Sequence, residues 1–169
     1  MFLLFSKGAF PKGLALFTFL LASLTDYWDG RLARMRKEIT SLGKLMDPIA
    51  DKILTLSAFL AFVQMGIIPA WMAVLIVARD FLITGLRFLM LQKNDNPEAR
   101  PSGKHKTALQ LAAIVGVLIF LTLKETPLWR LEWTAPSLHL IYWTMLFIVA
   151  ITLWSGVRYL VRNKEFFGS

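Results

Sequence analysis

The chain has 169 residues, 56% of them hydrophobic and only 18% charged, with 19 lysines and arginines, 11 acids and no cysteine. So apolar a composition excludes an ordinary water-soluble domain, and the lack of cysteine excludes disulfide and thiolate chemistry. The formal charge of +8 is laid out as membrane topology requires rather than as a polyanion-binding surface, so no nucleic-acid partner is expected.

In chain order, uncharged apolar stretches run from Gly13 to Thr25, Ile53 to Ala78, Ala108 to Leu123 and Ser137 to Val157. Each is near or above the length of a spanning helix, roughly 20 residues. The second is too long for one helix, and Gly66 and Pro69 divide it. One helix is predicted from about Asp47 to Met65 and another from about Pro69 to Leu91, joined by a tight turn. The opening Met1 to Ser23 has lysines before an apolar run, as a signal peptide does, but it continues without a convincing cleavage site into Asp26 and Asp29. It is read as part of the first long helix. The expected fold is all-α: a single membrane domain over residues 1–169, a polytopic transmembrane helical bundle with five spans.

The positive charges alternate by connection. Arg31, Arg34, Arg36, Lys37 and Lys44 fill one, Lys93, Arg100, Lys104 and Lys106 another, and Arg158, Arg162 and Lys164 the tail, whereas the Gly66 to Pro69 turn has none. The positive-inside rule places the rich segments in the cytoplasm, and Lys7, Lys12 and the Lys124 to Glu132 segment on the opposite side. The six tryptophans, Trp28, Trp71, Trp129, Trp133, Trp143 and Trp154, mostly fall near predicted helix ends and read as interfacial anchors. His105 and His139 are read as interfacial too.

Against this apolar background stand Asp26, Asp29, Asp47 and Asp51. Uncompensated carboxylates in a bilayer cost on the order of 3 kcal/mol each, so cations are expected among them. At helical spacing Asp26, Asp29, Gly30 and Ala33 share one face, and Gly43, Asp47 and Asp51 form a stripe on the next helix. Two facing carboxylate pairs suit two hard divalent cations, Mg²⁺ or Mn²⁺, whose charge they cancel. The absence of His and Cys from the frame argues against zinc. The plainer alternative is that the aspartates cap helices or pair with Arg34, Arg36 and Lys52, Asp47 before Pro48 being a familiar helix start.

The run Asp26-Tyr-Trp-Asp29-Gly30-Arg-Leu-Ala33-Arg34, then eight residues, then Gly43-Lys-Leu-Met-Asp47-Pro-Ile-Ala-Asp51 resembles the signature of the CDP-alcohol phosphatidyltransferases. Ala78-Arg79-Asp80, Arg87 and Gly103-Lys104-His105-Lys106-Thr107 resemble later motifs of its bacterial phosphatidylglycerophosphate synthases, with Asp80 in place of the usual Glu. The resemblance implies a homodimeric enzyme of the cell membrane, its site facing the cytoplasm, that moves a phosphatidyl group from CDP-diacylglycerol to an alcohol and releases CMP. It implies metal ligation by Asp26, Asp29, Asp47 and Asp51, with Asp51 also the catalytic base, and nucleotide and diphosphate contacts from Gly30, Ala33, Arg34 and Thr40. Related enzymes begin with a Pro-Asn-x-Leu-Thr-x-x-Arg stretch and a first span that nothing here matches; five spans are expected where the family has six, Met1 to Phe5 being the remnant of the first.

The resemblance points to sn-glycerol 3-phosphate as the acceptor, whose phosphate calls for positives away from the metals. Arg79, Arg87, Lys104 and Lys106 are the candidates. A phosphatidylglycerol or an inositol phosphate is the alternative acceptor within the same chemistry. A divalent-cation transporter is the alternative from another class, but it calls for acids near the bilayer midplane, and these cluster at the ends of two consecutive helices.

Overall fold

A computed structural model of the chain describes the backbone of residues 2–36, 41–92 and 102–163, and the side chains of those residues except 26, 27, 29–36, 41–51, 87, 91, 92 and 102–106. Among the described residues the structure is helical throughout, with no strand. A single turn, α1 (Phe2–Phe5), is followed by five long helices: α2 (Ala9–Arg36), α3 (Ser41–Gln64), α4 (Ala70–Gln92), α5 (Ser102–Lys124) and α6 (Thr134–Arg162), the last entered through a short 3₁₀ turn at Leu131–Trp133. All five predicted spans are therefore helices. The opening segment runs unbroken from Ala9 through Asp26 and Asp29 to Arg36.

Two boundaries differ from expectation. α3 starts at Ser41 and takes Pro48 into its interior, so Asp47 is not a helix start. Pro48 forfeits one N–H bond there, a loss that a helix packed along a bundle absorbs. α5 starts at Ser102, which places Lys104, His105 and Lys106 in its first turns rather than in a loop.

The turn between α3 and α4 shows why the long apolar stretch divides where it does. Gly66 has φ of 69°, in the left-handed region that only glycine enters cheaply. The Ile67 N–H reaches back to the Phe62 carbonyl at 2.9 Å and the Gly66 N–H to the Val63 carbonyl at 3.0 Å. Those are the two bonds of a Schellman closure. At the same end of the bundle, the Trp129 indole N–H donates to Thr134 Oγ1 at 3.0 Å. Its ring meets Phe120 and Trp133 edge to face at 5.5 and 5.8 Å, and this aromatic cluster closes the connection from α5 to α6.

α2 packs along α5, α4 along α6, α3 along α4 and α5 along α6. Phe59 and Phe62 of α3, Met72 and Ile76 of α4, Ile114 of α5, and Met145 and Ile148 of α6 fill the centre. The outside is just as apolar: Phe10, Phe17, Leu60, Val74, Leu82, Leu140, Trp143, Phe147 and Val161 are all exposed. In water such a surface would aggregate; in lipid it faces its own kind. Thr107–Lys124 and Leu131–Arg162 are apolar and long enough to cross a membrane by themselves, while α2 and α3 contribute the shorter apolar runs Ala9–Thr25 and Lys52–Gln64. α4 is interrupted by Arg79, Asp80 and Arg87.

Trp71, Trp129 and Trp133 lie at helix ends, whereas Trp28, Trp143 and Trp154 lie eight or nine residues inside α2 and α6 and are exposed. There their rings lie on the apolar outer surface.

Polar groups go inward. Lys12, Thr55, Asp80, Gln110 and Thr152 are buried. Lys12, only 7% exposed, is paired with Glu125, just beyond the end of α5. Glu125 also accepts the Gly8 N–H at 3.2 Å. This ties the start of α2 to the end of α5, the end at which the charge pattern groups Lys12 with the Lys124 to Glu132 segment.

The Lys12 ammonium hydrogen bond holds the Glu125 carboxyl below its usual pKa against a small opposing effect of burial. A depressed carboxyl pKa contributes stability that is present above the unfolded-state value and lost as pH falls through the folded-state value. Wild-type protein and Glu125→Gln, compared by thermal unfolding in detergent, are expected to differ most at neutral pH and to converge as pH falls below the carboxylate range. A gap independent of pH would rule the ion pair out as its source.

Candidate active site

The acid frame falls on the two helices joined by residues 37–40. α2 carries Asp26, Asp29, Gly30, Ala33 and Arg34 in its last third, and α3 carries Asp47 and Asp51 in its first half. Their side chains, like those of Arg87, Lys104 and Lys106, lie outside the described residues, as does Thr40 altogether. Lys12, Ala15 and Phe19 mark the buried stripe of α2. Carried on at about 100° per residue, that stripe runs through Asp26, Gly30 and Ala33, with Asp29 and Arg34 on its two flanks. In α3 the buried Thr55, Ala58 and Phe62 extend back through Asp51, with Asp47 at the edge. The acidic positions of both helices are thus in register with buried residues further along the same helix.

The short connection and the contact between α2 and α3 bring the two stripes to comparable depth. Asp29 lies seven residues before the end of α2 and Asp47 six residues after the start of α3, each roughly 10 Å along its axis at 1.5 Å per residue. Ser23 Oγ, one turn before Asp26, is buried without a hydrogen-bond partner among the described residues. A free donor beside an all-carboxylate set fits an oxygen-rich site holding hard cations better than it fits a packed apolar core.

A second polar group is described in full, and Asp80 is its hub. This carboxylate is 7% exposed. Its Oδ1 accepts from Arg79 Nη1 at 2.9 Å, and its Oδ2 accepts from Lys52 Nζ at 3.2 Å and Gln110 Nε2 at 3.4 Å. Arg79 Nη2 continues to Ser155 Oγ at 3.3 Å. Four helices, α3 to α6, are joined at one level, and Lys52 is the residue next to Asp51. Breaking such a buried pair by removing one partner typically costs about 3–5 kcal/mol, since the other charge is left uncompensated. Arg79 Nε is buried and unpartnered among the described residues.

Gly156 lets α6 approach this group. A Cβ built there would stand 3.1 Å from Arg79 Cγ and 3.4 Å from Nε.

Of the four expected phosphate-binding cations, only Arg79 has a described side chain. It is engaged by Asp80 and Ser155, with donor capacity left over. By register Arg87 follows the buried Ile76, Asp80 and Ile83 along α4, whereas Lys104 lies well off the buried stripe of α5 and Lys106 much nearer to it. Sequence reasoning did not find Gln110 and Ser155 as partners of this group, and took Lys52 only as a partner for the frame aspartates. A glutamine in an apolar helix was the available signal for the first; nothing marks the serine.

These features, an apolar-surfaced helical bundle with a Gly- and Asp-bearing sequence frame across two consecutive helices, define a class of membrane-embedded helical proteins. The chain belongs to the CDP-alcohol phosphatidyltransferase family, whose sequence model it matches over residues 1–154. It is 35% identical over 147 residues to the CDP-diacylglycerol–glycerol-3-phosphate 3-phosphatidyltransferase of Bacillus subtilis (strain 168), covering 87% of this chain and 72% of that one. Proteins of the same name are 34% identical in Rickettsia felis, over 95% of this chain and 84% of the relative, and 32% identical in Haemophilus influenzae, over 86% and 75%.

Gly156→Val is expected to push against the Arg79 stem and lower stability by about 1–3 kcal/mol, the range for overpacking a filled site. Gly116→Ala, whose added Cβ meets nothing within 4 Å, is expected to leave stability unchanged or raise it. Thermal unfolding of both in detergent checks the contrast.

Proposed function

We propose that this protein transfers the phosphatidyl group of CDP-diacylglycerol to sn-glycerol 3-phosphate, forming phosphatidylglycerophosphate and CMP. What supports this reading is the acidic sequence frame carried by two consecutive helices, in a chain similar along most of its length to proteins named for this reaction. In the exchange, an acceptor hydroxyl oxygen bonds to the phosphatidyl phosphorus, the bond from that phosphorus to the bridging diphosphate oxygen breaks, and CMP leaves with the electron pair.

Asp26, Asp29, Asp47 and Asp51 are assigned as holders of two divalent cations, Mg²⁺ or Mn²⁺, which supply charge neutralisation at the phosphoryl oxygens when bound. Asp51, in register with the buried Thr55, Ala58 and Phe62, is assigned to take the hydroxyl proton. Gly30 and Ala33 leave the backbone of α2 bare enough for the nucleotide to lie against it. Arg34, on the flank of the same stripe, pairs with the diphosphate, and Thr40 adds a hydroxyl contact. Arg79, Arg87, Lys104 and Lys106 are assigned to the acceptor phosphate. Lysines in the first turns of α5 oppose its helix dipole, and a phosphate seated there offsets that repulsion.

The donor lipid accounts for the apolar exterior, since its acyl chains stay in the bilayer while the head group enters the site. The protein is accordingly assigned to the cell membrane as a multi-pass homodimer, with the positively charged helix ends and the site facing the cytoplasm.

Purified protein with CDP-diacylglycerol, glycerol 3-phosphate and Mg²⁺ is expected to release CMP and form phosphatidylglycerophosphate, and to stop when the metal is chelated. Asp51→Asn is expected to lower kcat by roughly 10²- to 10⁴-fold, the usual worth of a positioned base. Lipid product formed with phosphatidylglycerol or an inositol phosphate, and none with glycerol 3-phosphate, would replace the acceptor. A fully active Asp51→Asn would remove the base.

A further inference from the structure

We infer that Asp80 is a positioning residue for the acidic frame: by fixing Lys52 against α4 and α5 it sets the rotation of α3 about its axis, and with it the placement of Asp51 and Asp47. This rests on the function proposed above. The argument begins with one oxygen. Asp80 Oδ2 accepts from both Lys52 Nζ at 3.2 Å and Gln110 Nε2 at 3.4 Å, so three helices meet at a single atom, with that carboxylate and Gln110 both buried.

Neighbouring residues on a helix are held about 100° apart around its axis, so a fixed Lys52 leaves Asp51 one azimuth. Elsewhere on its inner face α3 presents Thr55, Ala58, Phe59 and Phe62 to the core. Ala58, Phe59 and Phe62 make apolar contacts, which tolerate small rotations. The Lys52 ammonium adds to them a charged hydrogen bond across to α4. The other oxygen of Asp80 holds Arg79 at 2.9 Å, so the carboxylate cannot turn toward Lys52 without releasing the arginine. Asp80 is thus gripped on both sides.

The test measures Mn²⁺ binding by electron paramagnetic resonance on full-length protein in detergent, beside steady-state kinetics. Asp80→Asn, shown folded by its helical circular dichroism and monodisperse elution, is expected to weaken Mn²⁺ binding roughly tenfold and lower kcat comparably, as loss of a ligand-orienting partner does. Asp80→Glu should restore most of the Mn²⁺ affinity. A part played only in packing would lower thermal stability without moving the Mn²⁺ affinity of the folded protein, and would overturn the inference. So would a change confined to the KM for glycerol 3-phosphate, which would make Asp80 part of the acceptor site. Should Asp80→Asn fail to fold, Gln110→Leu decides: weaker Mn²⁺ binding supports the inference and wild-type binding overturns it. Wild-type protein that binds no Mn²⁺ sinks the metal assignment underneath, whereas wild-type binding with an unaltered folded variant sinks this inference alone.

Discussion

A carboxylate inside a bundle surrounded by lipid must find cations, and the positions of the cations decide which helices stand beside which. Asp80 is the described case. Its two oxygens take Lys52 from α3, Arg79 from its own helix and Gln110 from α5, and Arg79 passes the connection to Ser155 on α6. Helix faces that are merely apolar gain little from one another over lipid, because the tails are as apolar as leucine. Polar pairs therefore have a larger say in register than they would in water. Lys12 with Glu125 does the same at the opposite end, joining α2 to the end of α5.

That rule explains the inside-out distribution of side chains. Leu82, Leu140 and Phe147 face outward without penalty, while Lys12, Asp80 and Gln110 are buried. It also limits where an acidic site can exist. Four aspartates on stripes that continue the buried faces of α2 and α3 need about four positive charges from somewhere. Neighbouring protein cations contribute some, but Lys52 and Arg79 already share Asp80. Bound divalent ions, as proposed here, supply the remainder and leave the small residues Gly30 and Ala33 free to admit a ligand.

Much of this was legible in the chain because helical periodicity and apolar length are local properties. The five long helices, the break at Gly66 and the two acidic stripes follow from spacing alone, and the frame's two halves fall on consecutive helices as the motif spacing requires. The start of α3 was misjudged because Asp47-Pro48 carries a strong local signal for a helix start, which the surrounding bundle overrides by extending the helix to Ser41. Gly103 to Thr107 reads as a connection for a similar reason: glycine and charge suggest a loop until a helix is packed upon them. The pairing around Asp80 is not local in the chain: Lys52 and Gln110 are separated from it by 28 and 30 positions, and Ser155 from Arg79 by 76, and only the stacking of α3 to α6 brings them to one level.

The donors left over in the described group bear on the acceptor. Arg79 keeps N–H donors beyond the two it uses on Asp80 and Ser155, and Arg87 lies further along the same helix, in register with the buried Ile83. A phosphate-bearing acceptor would give the Arg79 guanidinium an anion to meet, which a neutral alcohol would not.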